Sequence, residues 1–276
     1  MSIPELEEAE RKRKALLNAF DELPDCTIYG VVDASGAGGG NVPPETLWSL
    51  SVKLIAWKKD DGSVNLTPLR VMKMVSHDEL RRLMDSINPE KVIGFRGRLC
   101  EETPFGDAQS LMVELVDAPA DEELNAALRD YQEPITIRDP VLGELSLNKT
   151  VDWYEGYIDW CGKPVQVALS VDESGDVGAA VATIKGLLQD QPGWKNKIES
   201  YAVDSLLELK NDNWLDEGEE EVTKSEFIDR MELESITAYP EGEYEFNHND
   251  GGLFWGHSIR VSGDLKGGPN DADIPG

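Results

Sequence analysis

The sequence predicts an α+β protein of two domains, each with its own antiparallel strands. The first reason is length: at 276 residues the chain exceeds what one compact domain usually holds. The second is that strand-like alternation falls into two sets, with helices grouped beside them and not alternating one for one, which disfavours a parallel α/β sheet. Third, Glu133-Pro134 ends a helical stretch and opens a turn-rich segment. The expected boundaries are 1–132, 133–264 and a flexible tail over 265–276.

The first domain opens with a helix over 4–22, in which Leu6, Ala9, Leu16, Leu17 and Phe20 lean to one side. Strands are expected at 26–33, 46–58 and 63–74. Trp48, Leu50, Val52 and Leu54 share one face of the second, and Asp61-Gly62 reads as the hairpin turn into the third. Gly36, Gly38, Gly39 and Gly40 fall between the first two strands. Without the Gly-Lys-Ser/Thr of a phosphate loop they read as a flexible connection. Ser76 and Glu79 have capping-box spacing for a helix over 77–86, which Asn88-Pro89 stops. Strands at 91–99 and 109–117 and a helix over 121–131 complete the set. The order β-β-β-α-β-β, with glycines at 94 and 97 relieving crowding in the fourth strand, resembles the five-stranded OB barrel. In such a barrel the glycine connection borders a ligand groove.

The second domain is expected to hold antiparallel strands flanking three helices. Short strands at 135–138 and 143–148 surround Asp139-Pro140, and a hairpin over 151–160 and 163–172 turns at Cys161-Gly162. Val177, Val181, Ile184 and Leu188 mark one helix. A longer one from Pro192 carries the stripe Trp194, Ile198, Tyr201, Ala202, Leu206 and Leu209. Thr223 and Glu226 cap a third, and strands at 232–239, 242–248 and 253–262 follow.

Forty per cent apolar residues and seven Trp argue for folded domains despite 54 acidic against 26 basic side chains and a net charge of −28. Residues 1–132 carry 24 acids and 15 bases, residues 133–276 carry 30 and 11. Such a field repels phosphate backbones and anionic membranes and attracts a partner with a basic face. Residues 51–100, with 10 bases against 6 acids, are a local exception. No apolar run reaches membrane-span length, and Pro4, Glu5, Glu7 and Glu8 do not open a signal peptide, so a cytoplasmic protein is expected. Cys26, Cys100 and Cys161 read as reduced, mostly buried thiols. Nothing calls for a cofactor.

Candidate functional residues form three groups. Lys53, Trp57, Lys58, Arg70, Lys73, Arg96 and Arg98 interleave cations with an aromatic on the barrel strands, which is what a nucleic-acid strand needs for its phosphates and bases. His257 falls in an expected strand with Leu253, Trp255, Ile259 and Val261 on its face, hence pointing inward. It is the one candidate catalytic residue, and it would serve a hydrolase together with nearby acids. His248, Asp250 and His257 match no recognised metal spacing, so no metal is expected. The acids Asp216, Glu217, Glu219, Glu220 and Glu221 lack the alternation of a calcium loop and read as a solvated loop.

Four stretches carry a resemblance: Asp139 to Leu147, the turn Trp160-Cys161-Gly162, Asn211 to Leu215 ahead of Glu226-Phe227, and Gly252 to Ile259. With them, residues from Ile135 onward resemble an uncharacterised bacterial family, the domain of unknown function numbered 2262. Its signature positions here are Trp160, Asn213, Trp214, Phe254, Trp255, Gly256 and His257. The resemblance implies no activity; its context implies an immunity or defence-linked binding role. The expected function is therefore a non-enzymatic acidic protein that engages a basic protein, with nucleic-acid or nucleotide binding and hydrolysis as the alternatives.

Overall fold

The computed structural model describes residues 3–41 and 46–276, with backbone alone over 3–7, 9 and 10, and divides into two units, Met1–Glu133 and Pro134–Gly276. In the first, β1 (Asp25–Gly40), β2 (Trp48–Lys59), β3 (Leu69–Val75), β4 (Val92–Cys100) and β5 (Ala108–Val116) close a barrel in the order β1-β2-β3-β5-β4. With α2 (His77–Ser86) between β3 and β4, this is the OB arrangement read from the element order. Leu50, Val52 and Leu54 of β2, Val71 of β3 and Phe95 of β4 fill the inside, none more than 1% exposed. Alternation alone sets this, since every second side chain meets the interior. A Cβ on Gly97 would stand 2.6 Å from the Leu111 carbonyl, so the barrel closes here because that residue has no side chain. α1 (Ile3–Glu22) buries Leu16 and Phe20; Leu6 and Ala9 of its expected stripe lie outside the described side chains.

Three expectations for this unit are corrected. The glycine cluster is no flexible loop: β1 runs through it, and Ala37 to Gly40 pair with Val52 to Ser49 after a register shift between Val32 and Ala37. Backbone pairing needs no side chains, and bare Gly39 lets α2 approach, because a Cβ there would lie 2.6 Å from Leu80. The third strand begins at Leu69, not at 63, with Pro68 just ahead of it and a loop bridged by Trp57 and Asn65. Ser76 caps α2 as expected, but Glu79 turns to Lys73 at 2.7 Å instead of completing the box.

The second unit is an eight-stranded sheet, β13-β12-β11-β10-β9-β8-β7-β6. Its strands are β6 (Thr136–Asp139), β7 (Gly143–Asn148), β8 (Trp153–Trp160), β9 (Lys163–Ser170), β10 (Glu232–Ala238), β11 (Glu243–Asn249), β12 (Ser258–Asp264) and β13 (Gly268–Asp273). α4 (Gly178–Leu188), α5 (Gln191–Asn213) and α6 (Lys224–Arg230) all lie between β9 and β10 in sequence. That crossover lets β9 and β10 pair in parallel, from Gln166–Ser235 to Leu169–Ala238, inside a sheet expected to be antiparallel throughout. Ile184 and Leu187 of α4, Ile198, Ala202 and Leu206 of α5 and Phe227 of α6 join the sheet's core. Lys210, four residues beyond Leu206 on the same stripe, is also fully buried.

The tail expected over 265–276 is ordered: β13 pairs with β12, and Arg260 grips Asp273 through two hydrogen bonds of 3.1 and 2.7 Å. Main-chain pairing and an ion pair do the holding, which is why a segment so poor in apolar residues does not look like a strand. All three cysteines are free, but Cys161 is exposed where the β8–β9 turn forces a positive φ of 52°. Among the described residues no helix is long and apolar enough to cross a membrane.

Candidate functional site

The cations proposed from sequence for a nucleic-acid groove are held by acids of the chain itself. Lys58 grips Asp121, the N-cap of α3 (Glu122–Gln132), which raises the lysine's pKa and lowers the aspartate's. Lys73 holds Glu79 of α2. Arg98 donates to the Phe20 carbonyl at the end of α1 and to Asp25 and lies 3.5 Å from Asp21. These three side chains tie helices to the barrel. Arg96 pairs with Glu114 at 3.0 Å and Asp25 at 3.8 Å, Arg70 with Asp107 at 3.7 Å, and Lys53 with Asp33 at 3.9 Å. Trp57, expected to share an outward face with Lys53, is 3% exposed and donates its indole N–H to the Thr67 carbonyl at 2.9 Å. The loop over 60–68 folds over it, so it offers no ring for a base to stack on.

The family-signature residues gather elsewhere. Trp214 ends α5 and packs against Trp255, the rings tilted by 52° with their centres 4.7 Å apart. It meets His257 at 5.4 Å and Phe254 at 5.6 Å edge to face, and Phe254 continues inward to Phe227. Asn213 is exposed in the last turn of the same helix. Trp160 is separate, buried against Phe246 in the sheet.

The strand expected over 253–262 begins only at Ser258, because residues 250–257 form a tight loop. Its organiser is Asp250, 3% exposed, whose carboxylate accepts N–H bonds from Phe254 at 2.6 Å, Gly256 at 3.1 Å and Gly252 at 3.1 Å. Burial alone pushes this carboxyl's pKa up, but the three donors outweigh it and leave the pKa lowered. Gly251, Gly252 and Gly256 take positive φ, and so does Trp255, at 56°. A bulky residue there is strained. Trp255 is nevertheless 60% exposed, whereas Leu253 and Phe254 anchor the loop in the core. The expected inward face of Leu253, Trp255 and His257 is therefore corrected: the loop turns Trp255 out and sets His257, half-buried, against Trp214.

Beside the rings runs the acidic loop after α5. Glu219 is its keystone, accepting from buried Lys210 at 2.8 Å, the Asp216 N–H at 2.9 Å and Arg230 at 3.3 Å. Lys210 first, then these others, hold its pKa down to about 2. Arg230 also donates to the Gly251 carbonyl at 3.1 Å, tying acidic loop to aromatic loop. Asp216, Glu217, Glu220 and Glu221 remain exposed and make no ion pair among the described residues. The Lys210–Glu219–Arg230 tie is absent from the sequence reading; its signal is a lysine on the apolar stripe of a helix followed by an acid run.

His248, Asp250 and His257 do not converge. The carboxylate of Asp250 is taken by backbone donors, His257 joins the aromatic cluster, and His248 is buried on β11. Among the described residues, no three His, Cys, Asp or Glu side chains are grouped to hold a metal ion.

Barrel, mixed sheet and aromatic–acidic corner define the class: an OB-type barrel followed by an α+β domain. Residues 139–274 match the family described as an uncharacterized protein conserved in bacteria (DUF2262), the likeness read from the sequence, and residues 12–131 match a domain of unknown function (DUF7021). No curated protein matches. Among solved structures, the chain is similar to a replication protein A heterotrimer bound to ssDNA, at 10% identity and a TM-score of 0.29, over 53% of this chain but only 39% of that one. It is also similar to the single-stranded DNA binding protein from Thermus aquaticus, at 13% identity and a TM-score of 0.24, over 52% of this chain and 72% of that one.

Proposed function

We propose that this chain is a cytoplasmic binding protein that grips a basic protein partner at the corner formed by Trp214, Trp255 and the acidic loop 216–221. One observation carries the reading: Trp255 is 60% exposed on a left-handed backbone, in a loop where buried Asp250 holds the N–H groups of the residues on either side of it. Strain of this kind costs on the order of 1–3 kcal/mol and persists where function needs the geometry. An indole face beside unpaired carboxylates suits a guanidinium or ammonium, which takes a cation–π contact from the ring and ion pairs from the acids. The net charge of −28 adds long-range steering toward such a partner. The exposed free thiol of Cys161 suits a reducing compartment. Nucleic acid is the weaker occupant, since the barrel's cations face their own acids and Trp57 is covered. A toxin or nuclease neutralised by this chain is the finer form of the same reading.

The test is capture from the native host at low salt, with nuclease treatment and mass spectrometry. Wild type is compared with Trp255→Ala and with Glu217→Gln/Glu220→Gln/Glu221→Gln. A basic protein retained by wild type and lost from both variants is the expected result. Retention unaffected by either variant, or recovery of nucleic acid alone, overturns the proposal.

A further inference from the structure

A cavity of about 280 Å³ opens between the sheet and helices α5 and α6, and neither Trp214, Trp255 nor His257 lines it. Its walls include Trp160, Val165, Ile198 and Phe246, each at most 4% exposed. Trp160 and Phe246 meet edge to face at 5.4 Å, leaving ring surface toward the space. The imidazole of His248 sits among these apolar walls. His248 is 4% exposed, lines the cavity, and its Nδ1 is sealed from solvent without a hydrogen-bond partner. Burial keeps that imidazole neutral, with a pKa of about 4 despite the nearby carbonyls of Ile259 and Phe246. A polar side chain on an otherwise apolar cavity wall is the kind of group that orients a bound ligand.

The rim says which occupant. Lys195 lies 3.5 Å from Glu199, and Lys163 lies 3.7 Å from Glu232, so both lysines are balanced. Asp229 adds one further negative charge. Phosphate or carboxylate would be repelled at the entrance.

We infer that this cavity is a binding site for a small, uncharged heteroaromatic molecule with an amide-like edge, its ring against Trp160 and Phe246 and its polar edge hydrogen-bonded to His248. Nδ1 is sealed from the space, so the contact falls on the other ring nitrogen, which in a neutral imidazole either donates or accepts, and an amide-like edge answers both cases. The volume suits one or two fused rings and falls just below the usual range for larger ligands.

The test uses the full chain with uracil, adenine and nicotinamide as probes and nicotinate as the charged control. Saturation-transfer NMR reports binding, and the ring signals of ¹³C-labelled histidine report contact. Expected are binding of at least one uncharged probe with a shift of the His248 signals, and about tenfold weaker binding in His248→Phe, which loses the buried hydrogen bond. Val165→Phe, which fills the cavity from the sheet side, should abolish binding while the circular dichroism spectrum is unchanged. Failure of all three uncharged probes, nicotinate binding as tightly as nicotinamide, or binding indifferent to both variants overturns the inference. Partner capture through Trp255 reads out separately, so either proposal can fail without the other.

Discussion

His248→Phe should flatten the dependence of stability on pH between 7 and 5. The wild-type imidazole is held neutral by burial, with its pKa lowered from 6.5 to about 4, so below pH 6.5 the unfolded chain takes up a proton that the folded chain refuses. A depressed histidine pKa therefore supplies stability in full above about 6.5, and this is lost as pH falls toward 4. At 1.36 kcal/mol per pKa unit the whole window is worth about 3 kcal/mol, and roughly 2 kcal/mol of it falls between pH 7 and pH 5. Carboxylates with lowered pKa, Glu219 and Asp250 among them, lose their contribution in the same direction but at lower pH, so work above pH 5 separates the two effects. Lys163, Lys195, Glu199, Asp229 and Glu232, which share the cavity, and the other histidines are present in both proteins and cancel in the difference. The assay is urea unfolding at pH 7, 6, 5.5 and 5. Wild type should lose about 2 kcal/mol more than the variant across that range. Equal losses, or an NMR titration of the His248 ring with a midpoint near 6.5, would refute the argument.

Trp255→Gly should remove partner capture without lowering the melting temperature, since glycine relieves about 1 kcal/mol of left-handed strain and offsets the lost contact with Trp214. Asp250→Asn should cost about 2–4 kcal/mol in urea unfolding, because three backbone donors lose a charged acceptor, and should change Trp fluorescence as the loop loosens. Gly39→Val should cost about 1–3 kcal/mol by calorimetry, because its side chain would press into Leu80; an unchanged melting temperature would mean that α2 moves freely.

Much of the architecture was legible because it rests on short-range patterns. Leu50, Val52 and Leu54 alternate and are buried in alternation; Thr223 and Glu226 are spaced as a capping box and form one. The element order of the barrel survives intact. The candidate site was only half legible. Trp214, Phe254, Trp255 and His257 stood out as residues, but the alternation of Leu253, Trp255 and His257 looks like a strand, and a carboxylate that collects three N–H groups leaves no periodic trace. The acid partners of the groove cations were hidden for a related reason. Arg98 and Asp25 stand 73 residues apart, and charges that distant in sequence show neither their pairing nor their neutralisation until the barrel closes.

The sequence by itself determined the net charge, the alternation that builds a barrel and a sheet, the helix caps, and the composition of the aromatic and acidic segments. Those are properties of one residue or of neighbours within a few positions. Only the tertiary structure decided that β9 and β10 run parallel, that the last strand is β13, that the barrel cations are bound to acids, and that Trp255 faces outward beside an acidic loop. Each of these depends on backbone donors, charges or rings meeting across tens of residues, and such meetings are settled by chain closure and packing.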